Sequence, residues 1–253
     1  MSKVKIAYRI IAVREREELV KDLLSKLDEP ESSVFWDEEH KGCMWNAKRL
    51  WGSYKDLPEG TTHLCLLADD VDVVNCFKEA SQKCVENFPD AIWSFANRPQ
   101  VKGSDRGKMT PYVKIWNCWS RGICYLMPVK YIAGWFEFLE RYFGDNPRWN
   151  RDDTTTSLYA LLNDIDVMMP IPNLAVGKDV ASTIKGHSRL NRNRDMSCWF
   201  GRDIDLRQFN TSEFVMSKSR SGFEFHLPDD SEVLILAKNK IAKKKKIAKA
   251  LGI

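Results

Sequence analysis

Apolar and polar positions along this 253-residue chain alternate between short buried-type runs and longer amphipathic stretches. Residues 4–13 (VKIAYRIIAV) are rich in Val and Ile and predict a buried strand. The next segment, EREELVKDLLSKL, places Leu19, Val20, Leu23, Leu24 and Leu27 on one helical stripe, so the chain opens with a βα unit. Residues 33–36 (SVFW) predict a second short strand ending at Asp37. KGCMWNAKRLWGSYKDL predicts a loop leading into a helix, and Pro58-Glu59-Gly60 a turn. Residues 62–68 (THLCLLA) predict a third buried strand that runs into Asp69-Asp70-Val71-Asp72, with a helix over 74–88 behind it. AIWSFA (91–96) and ICYLM (123–127) predict two more strands, and the polar stretch 97–112, with Gly103, Gly107 and Pro111, a loop. Ile132, Trp135, Phe136, Leu139, Tyr142 and Phe143 recur at helical spacing within 129–143. Arg151-Asp152-Asp153 then caps a helix whose stripe is Leu158, Leu161, Leu162 and Ile165. A short strand over 167–169 is closed by Pro170, and the pattern weakens after about residue 175. Strands and helices alternating in this way predict an α/β fold with a mostly parallel central sheet flanked by helices. Such sheets bind ligands at the carboxyl ends of their strands.

Composition adds three constraints. With 43% apolar residues the chain can bury one sizeable core, which favours a single α/β domain. No segment approaches the roughly 18 apolar residues of a membrane span, and MSKVKIAYRIIAV is too interrupted by charge for a signal peptide. The seven cysteines are scattered with no CxxC pair, which speaks against a disulfide framework or zinc cluster and for a reducing cytoplasm. Among nine tryptophans, Trp45, Trp51, Trp116 and Trp119 stand among polar residues, where a flat ring can serve as a binding wall. The net charge of +4 is uneven: residues 238–249 hold seven lysines and no acid, leaving 32 basic residues against 35 acidic in the rest.

The segment HLCLLADDVDVV carries the strongest chemical signal, because an apolar strand delivers three carboxylates within four residues. Close carboxylates repel one another unless something positive lies between them. A divalent cation with oxygen ligands, completed by water and substrate phosphate, is a natural partner. The same aspartates also suit a turn or a helix N-cap.

This segment resembles the DxD motif of GT-A glycosyltransferases. Asp70-Val71-Asp72 fits that motif directly, and Asp69-Asp70-Val71 fits a DDV variant, so Asp70 belongs to both registers. The resemblance implies a GT-A (Rossmann-like) domain over residues 1–190, an extension over 191–237 and a Lys-rich tail over 238–253. It further implies Mn²⁺ or Mg²⁺ held by Asp70 and Asp72, with His187 as a third ligand. By the same likeness Ala12, Val13 and Arg14 line the nucleotide, and Arg14 and Arg16 reach phosphates. Asp37 contacts base or ribose. Asn46, Lys48 and Arg49 pack beside the nucleotide, while Asp69 and Asp70 face the diphosphate. Gly122 faces the donor sugar, Ser182, Thr183 and Lys185 the diphosphate, and Trp149 floors a sugar ring. In WNRDDTTTSLYALL the resemblance places the general base of an inverting reaction at Asp153, with Asp152 as alternate. Helix capping is the competing role for that pair, a solvated helix start for the two arginines, and an ordinary turn for Gly122.

The implied activity is hexosyl transfer from a nucleotide-diphosphate sugar, a UDP-sugar first, to an acceptor hydroxyl on a glycan or a modified DNA base. Small proteins of this resemblance occur in bacterial viruses, which would put the enzyme in the host cytoplasm. The Lys-rich tail reads first as a solvated, disordered segment. Its functional alternatives are adsorption to an anionic membrane and contact with nucleic-acid phosphate. Two rival classes remain open. One is a non-catalytic nucleic-acid- or membrane-binding module. The other is a nucleotidyltransferase, which would release pyrophosphate.

Overall fold

The computed structural model describes residues 3–96, 112–115, 123–144, 152–178, 180, 203–216 and 231–251. Ten strands and six α-helices appear among the described residues, in the order β1 (Ile6–Ala12), α1 (Glu17–Leu27), β2 (Val34–Trp36), α2 (Cys43–Gly52), β3 (His63–Ala68), β4 (Val71–Val73), α3 (Phe77–Asn87), β5 (Ile92–Ser94), β6 (Tyr112–Ile115), β7 (Cys124–Pro128), α4 (Ile132–Tyr142), α5 (Asp152–Leu162), β8 (Val167–Pro170), β9 (Ala175–Gly177), β10 (Val215–Met216) and α6 (Glu232–Leu251).

Eight strands form one sheet in the order β10-β6-β8-β5-β7-β3-β1-β2, and β4 pairs with β9 in a separate two-stranded ribbon. In the central six strands, from β8 to β2, five run the same way and only β7 is reversed. The fold is therefore α/β with a mostly parallel central sheet flanked by helices, as the alternation of elements predicts.

β3 is apolar almost throughout because both of its faces are covered, the usual condition of a central parallel strand. Alternate residues divide the core in two. Leu64, Leu66, Tyr125 and Met127 face one layer with α2, α4, α5 and the start of α6. Tyr8, Ile10, Cys65, Leu67 and Leu126 face the other, with α1 and α3. Trp51 is fully buried against Tyr125 and Trp135, with ring centroids 5.3 and 6.3 Å away. It is core rather than the binding wall that its polar neighbours suggested. Trp45 does stand at the surface layer, with Lys41 and Arg49 over its ring at 4.9 and 4.6 Å. Trp116 and Trp119 lie outside the described residues.

Three features depart from the sequence expectation. β4 and β9 are strands of three residues, too short for a period of two to show. β6 begins at Tyr112, the last residue of the stretch read as loop. The Lys-rich segment is not a disordered tail: residues 238–249 continue a helix that begins at Glu232, so the 237/238 boundary falls inside α6. Val233, Leu234 and Ala237 are buried in the core layer, and Ile241 packs against it. Lys240 and Lys244 reach Asp164, just past the end of α5. Apolar anchorage and these ion pairs hold the helix down where composition alone predicts solvation. No described helix is long and apolar enough to cross a membrane.

Candidate active site

The chain leaves β1 for β2 on one side, then returns to β3 on the other side of β1. The crevice between the carboxyl ends of β1 and β3 is thus a topological switch point, the place where open α/β sheets bind ligands. Asp69 closes it. Its N–H donates to the Ile11 carbonyl at 3.1 Å, extending the β1–β3 ladder by one bond. Its carboxylate accepts the Val13 N–H at 3.0 Å through Oδ2 and the Arg16 guanidinium at 2.5 Å through Oδ1. The same Arg16 nitrogen lies 3.6 Å from Asp70 Oδ2. Two adjacent carboxylates, 6% and 8% exposed, therefore share one cation. Burial pushes the Asp69 carboxyl above its ordinary range, and Arg16 and the Val13 N–H pull it back. Arg16 is committed to these aspartates rather than solvated at a helix start. Arg14 instead stacks over Trp36 at 4.2 Å and pairs with Glu38 at 2.8 Å, both exposed.

Asp72 faces elsewhere. It lies in β4, and its Oδ1 accepts the Lys26 ammonium of α1 at 2.8 Å. Lys26 also holds Asp22, as does Lys178 beyond β9. The Lys178 N–H in turn donates to the Asp70 carbonyl at 2.6 Å, extending the β4–β9 ladder into the aspartate turn. Among the described residues, Arg16 lies beside Asp70 and Lys26 beside Asp72.

The β2–α2 connection forms the neighbouring wall. The Asp37 N–H donates to the Ala12 carbonyl at 2.7 Å. Its carboxylate accepts N–H groups from Lys41 and Gly42 at 2.9 and 2.8 Å, folding the loop back before α2. Gly42 has φ of 101°, a value that glycine adopts without strain. Asn46 donates to the Phe35 carbonyl at 2.5 Å and Arg49 to the Trp36 carbonyl at 2.8 Å, so both clamp α2 onto the end of β2. Ala12 is buried beneath this wall.

The first residue of α2 connects the wall to the Asp152-Asp153 pair. Asp152 is 3% exposed, and its carboxylate accepts the Tyr125 hydroxyl at 2.8 Å and the Cys43 thiol at 3.5 Å. Trp51 Nε1 donates to the Tyr125 oxygen at 3.2 Å. Burial, helped by the charge of Asp153, lifts the Asp152 carboxyl to about 7. Burial also pushes the Cys43 thiol up, and the charges of Asp152, Asp153 and Asp69 add to the effect. Asp153 is partly exposed and accepts the N–H of its neighbour Thr154 at 2.7 Å. Both aspartates lie in the first turn of α5 rather than before it.

Gly122, Trp149, Ser182, Thr183, Lys185 and His187 lie outside the described residues. Among the described residues no group of three or more His, Cys, Asp or Glu side chains is arranged to hold a metal ion. His63 is structural, bonded to Thr62 and the Pro89 carbonyl at 2.8 Å each, with its pKa lowered mainly by burial. A cleft of about 530 Å³ opens at the amino ends of β5 and β8, lined by residues 87–91 and 163–166 with Tyr131 and Tyr159. Its aspartates are engaged by lysines, Asp90 by Lys130, Asp164 by Lys240 and Asp166 by Lys114, and it is remote from the switch point. Sequence reasoning missed Tyr125 and Cys43, which read as ordinary strand and loop residues. It also missed Lys26 and Lys178, which carry no local signal. No protein-family model and no curated protein matches this chain.

Proposed function

We propose that this chain is a metal-dependent glycosyltransferase of the GT-A type that moves a sugar from a nucleotide-diphosphate sugar, a UDP-sugar first, to an acceptor hydroxyl. The observation that carries the reading is the pair Asp69-Asp70 at the switch point between β1 and β3, bonded to the β1 end through Val13 N–H and Arg16. The nucleotide would lie along residues 12–16 and the Asp37 loop, whose backbone is already fixed by the bonds described above.

The donor chemistry suits a hard divalent cation, which is commonly held by one or two carboxylates and completed by phosphate and water. Of the two registers we adopt Asp69-Asp70-Val71, because Asp72 is paired with Lys26 while Asp70 lies beside Asp69. Asp70 would then be the principal ligand, with His187 as an added ligand. Such a cation would offset the charge building on the departing diphosphate. Asp69 holds the β1 end through the Val13 N–H, and with a cation at Asp70 the Arg16 guanidinium would bind a phosphate.

Asp153 is the proposed base for an inverting reaction. It is the partly exposed member of its pair, whereas Asp152 is held by Tyr125 and Cys43 and serves to position the first turn of α5.

Thermal stability should be followed with UDP-, GDP- and dTDP-sugars, each with and without Mn²⁺, on the wild type and Asp70→Asn. Only a ligand that binds the folded state raises stability. The reading expects one nucleotide sugar to stabilise the wild type in a Mn²⁺-dependent way and to lose that effect in the variant. Stabilisation by nucleoside triphosphates alone, with pyrophosphate released, would replace it with nucleotidyl transfer.

A further inference from the structure

We infer that the outward face of α6 docks on an anionic lipid surface. The helix is sided in a way that composition does not reveal. Its inner line, Val233, Leu234, Ala237 and Ile241, is packed on the core, and Lys240 and Lys244 beside it are paired with Asp164. At about 100° per residue the outer line is Ile235, Asn239, Ala242 and Lys246, all exposed. Leu236 and Lys243 flank it on one side, Lys238 and Lys245 on the other, and these too are exposed. No acidic residue follows Glu232 along the helix.

Two observations favour lipid over nucleic-acid phosphate. The first is apolar: Ile235 at 47% and Leu236 at 37% are large hydrophobic side chains exposed on this face. Apolar side chains beside lysines suit the boundary between headgroups and acyl chains, whereas phosphate contact alone does not call for them. The second is placement. Lys240 and Lys244 meet Asp164 beyond the far end of α5, while Asp152 and Asp153 begin that helix. Eleven residues at 1.5 Å each separate the two ends by about 16 Å. A polymer held at Lys243–Lys246 would therefore sit away from the Asp69–Asp153 side of the molecule. A flat membrane at that end leaves the same side open to solvent. The helix lies on the surface rather than crossing it, in keeping with the absence of a spanning segment among the described helices.

The test is vesicle co-flotation of the full chain with neutral phosphatidylcholine and with phosphatidylcholine containing phosphatidylglycerol, at low and physiological salt. Duplex DNA binding is measured in parallel. Three proteins are compared: wild type, Lys243→Gln/Lys245→Gln/Lys246→Gln, and Ile235→Ser/Leu236→Ser. Far-UV circular dichroism checks that α6 persists in each. The expected result is partition of the wild type onto anionic vesicles only. At roughly fivefold per lysine near such a surface, the triple variant should bind about a hundredfold more weakly. The apolar double variant should lose roughly tenfold. Wild-type partition no better to anionic than to neutral vesicles would overturn the inference. So would DNA binding tighter than vesicle binding with the Ile235/Leu236 variant unimpaired, which would assign the face to nucleic-acid phosphate. These readouts do not involve nucleotide sugars, so failure here leaves the proposed transferase activity standing.

Discussion

Replacing Asp152 by asparagine should remove a specific pH dependence from the stability of this fold. Asp152 is buried to 3% exposure with Tyr125, Cys43 and Trp51 around it, and burial with the charge of Asp153 raises its carboxyl from 3.8 to about 7. Between those values the folded chain holds a proton that the unfolded chain has released. The unfolded state binds fewer protons there, so stability falls as pH rises from about 4 to about 7 and levels off above. At 1.36 kcal/mol per pH unit the full contribution is on the order of 4 kcal/mol. The position of Asp152 in the first turn of α5, where negative charge is favoured, works against this rise but is outweighed by burial. Asparagine keeps the size of the side chain and cannot ionise. Urea titrations of wild type and Asp152→Asn at pH 4.5, 6 and 8 give the difference, because titrating groups remote from Asp152 cancel and the coupling to Asp153 belongs to the shift being read. The variant should be the less favoured protein at pH 4.5 and gain on the wild type by roughly 3–4 kcal/mol by pH 8. A difference that stays flat over this range would refute the reasoning, since the buried carboxyl would then titrate as it does in the unfolded chain.

Other perturbations probe the same framework. Arg16→Met removes the cation shared by Asp69 and Asp70 and should cost about 3–5 kcal/mol at neutral pH in chemical denaturation, much of it restored by adding Asp69→Asn. Gly134→Ala would place a methyl group 2.7 Å from the Tyr159 hydroxyl, which donates to the Tyr131 carbonyl, so the melt should show a loss of about 1–3 kcal/mol. Trp51→Ala empties a fully buried site between Tyr125 and Trp135 and should cost about 3–5 kcal/mol in the same assay.

The parts of the fold that sequence reveals are those with a clear period or a long apolar run. The stripe through Val20, Leu23 and Leu27 and the run through His63–Ala68 correspond to α1 and β3 almost residue for residue. The three-residue strands β4 and β9 escape because Val71-Asp72-Val73 is too short to declare a period, and because its aspartate reads as chemistry. Asp72 illustrates the limit: its partner Lys26 is 46 residues away, and only the fold brings the two to 2.8 Å. Asp37 and Asp69-Asp70 were legible as acids at strand ends, since the carboxyl edge of a parallel sheet concentrates ligand chemistry. Their hydrogen bonds to Val13, Lys41 and Gly42 were not, because backbone partners leave no trace in residue type. Trp51 misled for a related reason. Its neighbours Lys48, Arg49 and Ser53 are polar, but a helix turns its residues by 100° each, and the ring points inward. The tail misled because lysine content outweighed the small apolar line Val233, Leu234, Ala237 and Ile241 that anchors α6.

Amide hydrogen exchange with and without the stabilising nucleotide sugar and Mn²⁺ would show whether the proposed nucleotide sugar lies at the crevice between β1 and β3. Protection should concentrate at residues 12–16, 37–46 and 68–72 and disappear in Asp70→Asn. Protection confined to residues 87–91 and 163–166, around the cleft at the amino ends of β5 and β8, would overturn the proposal.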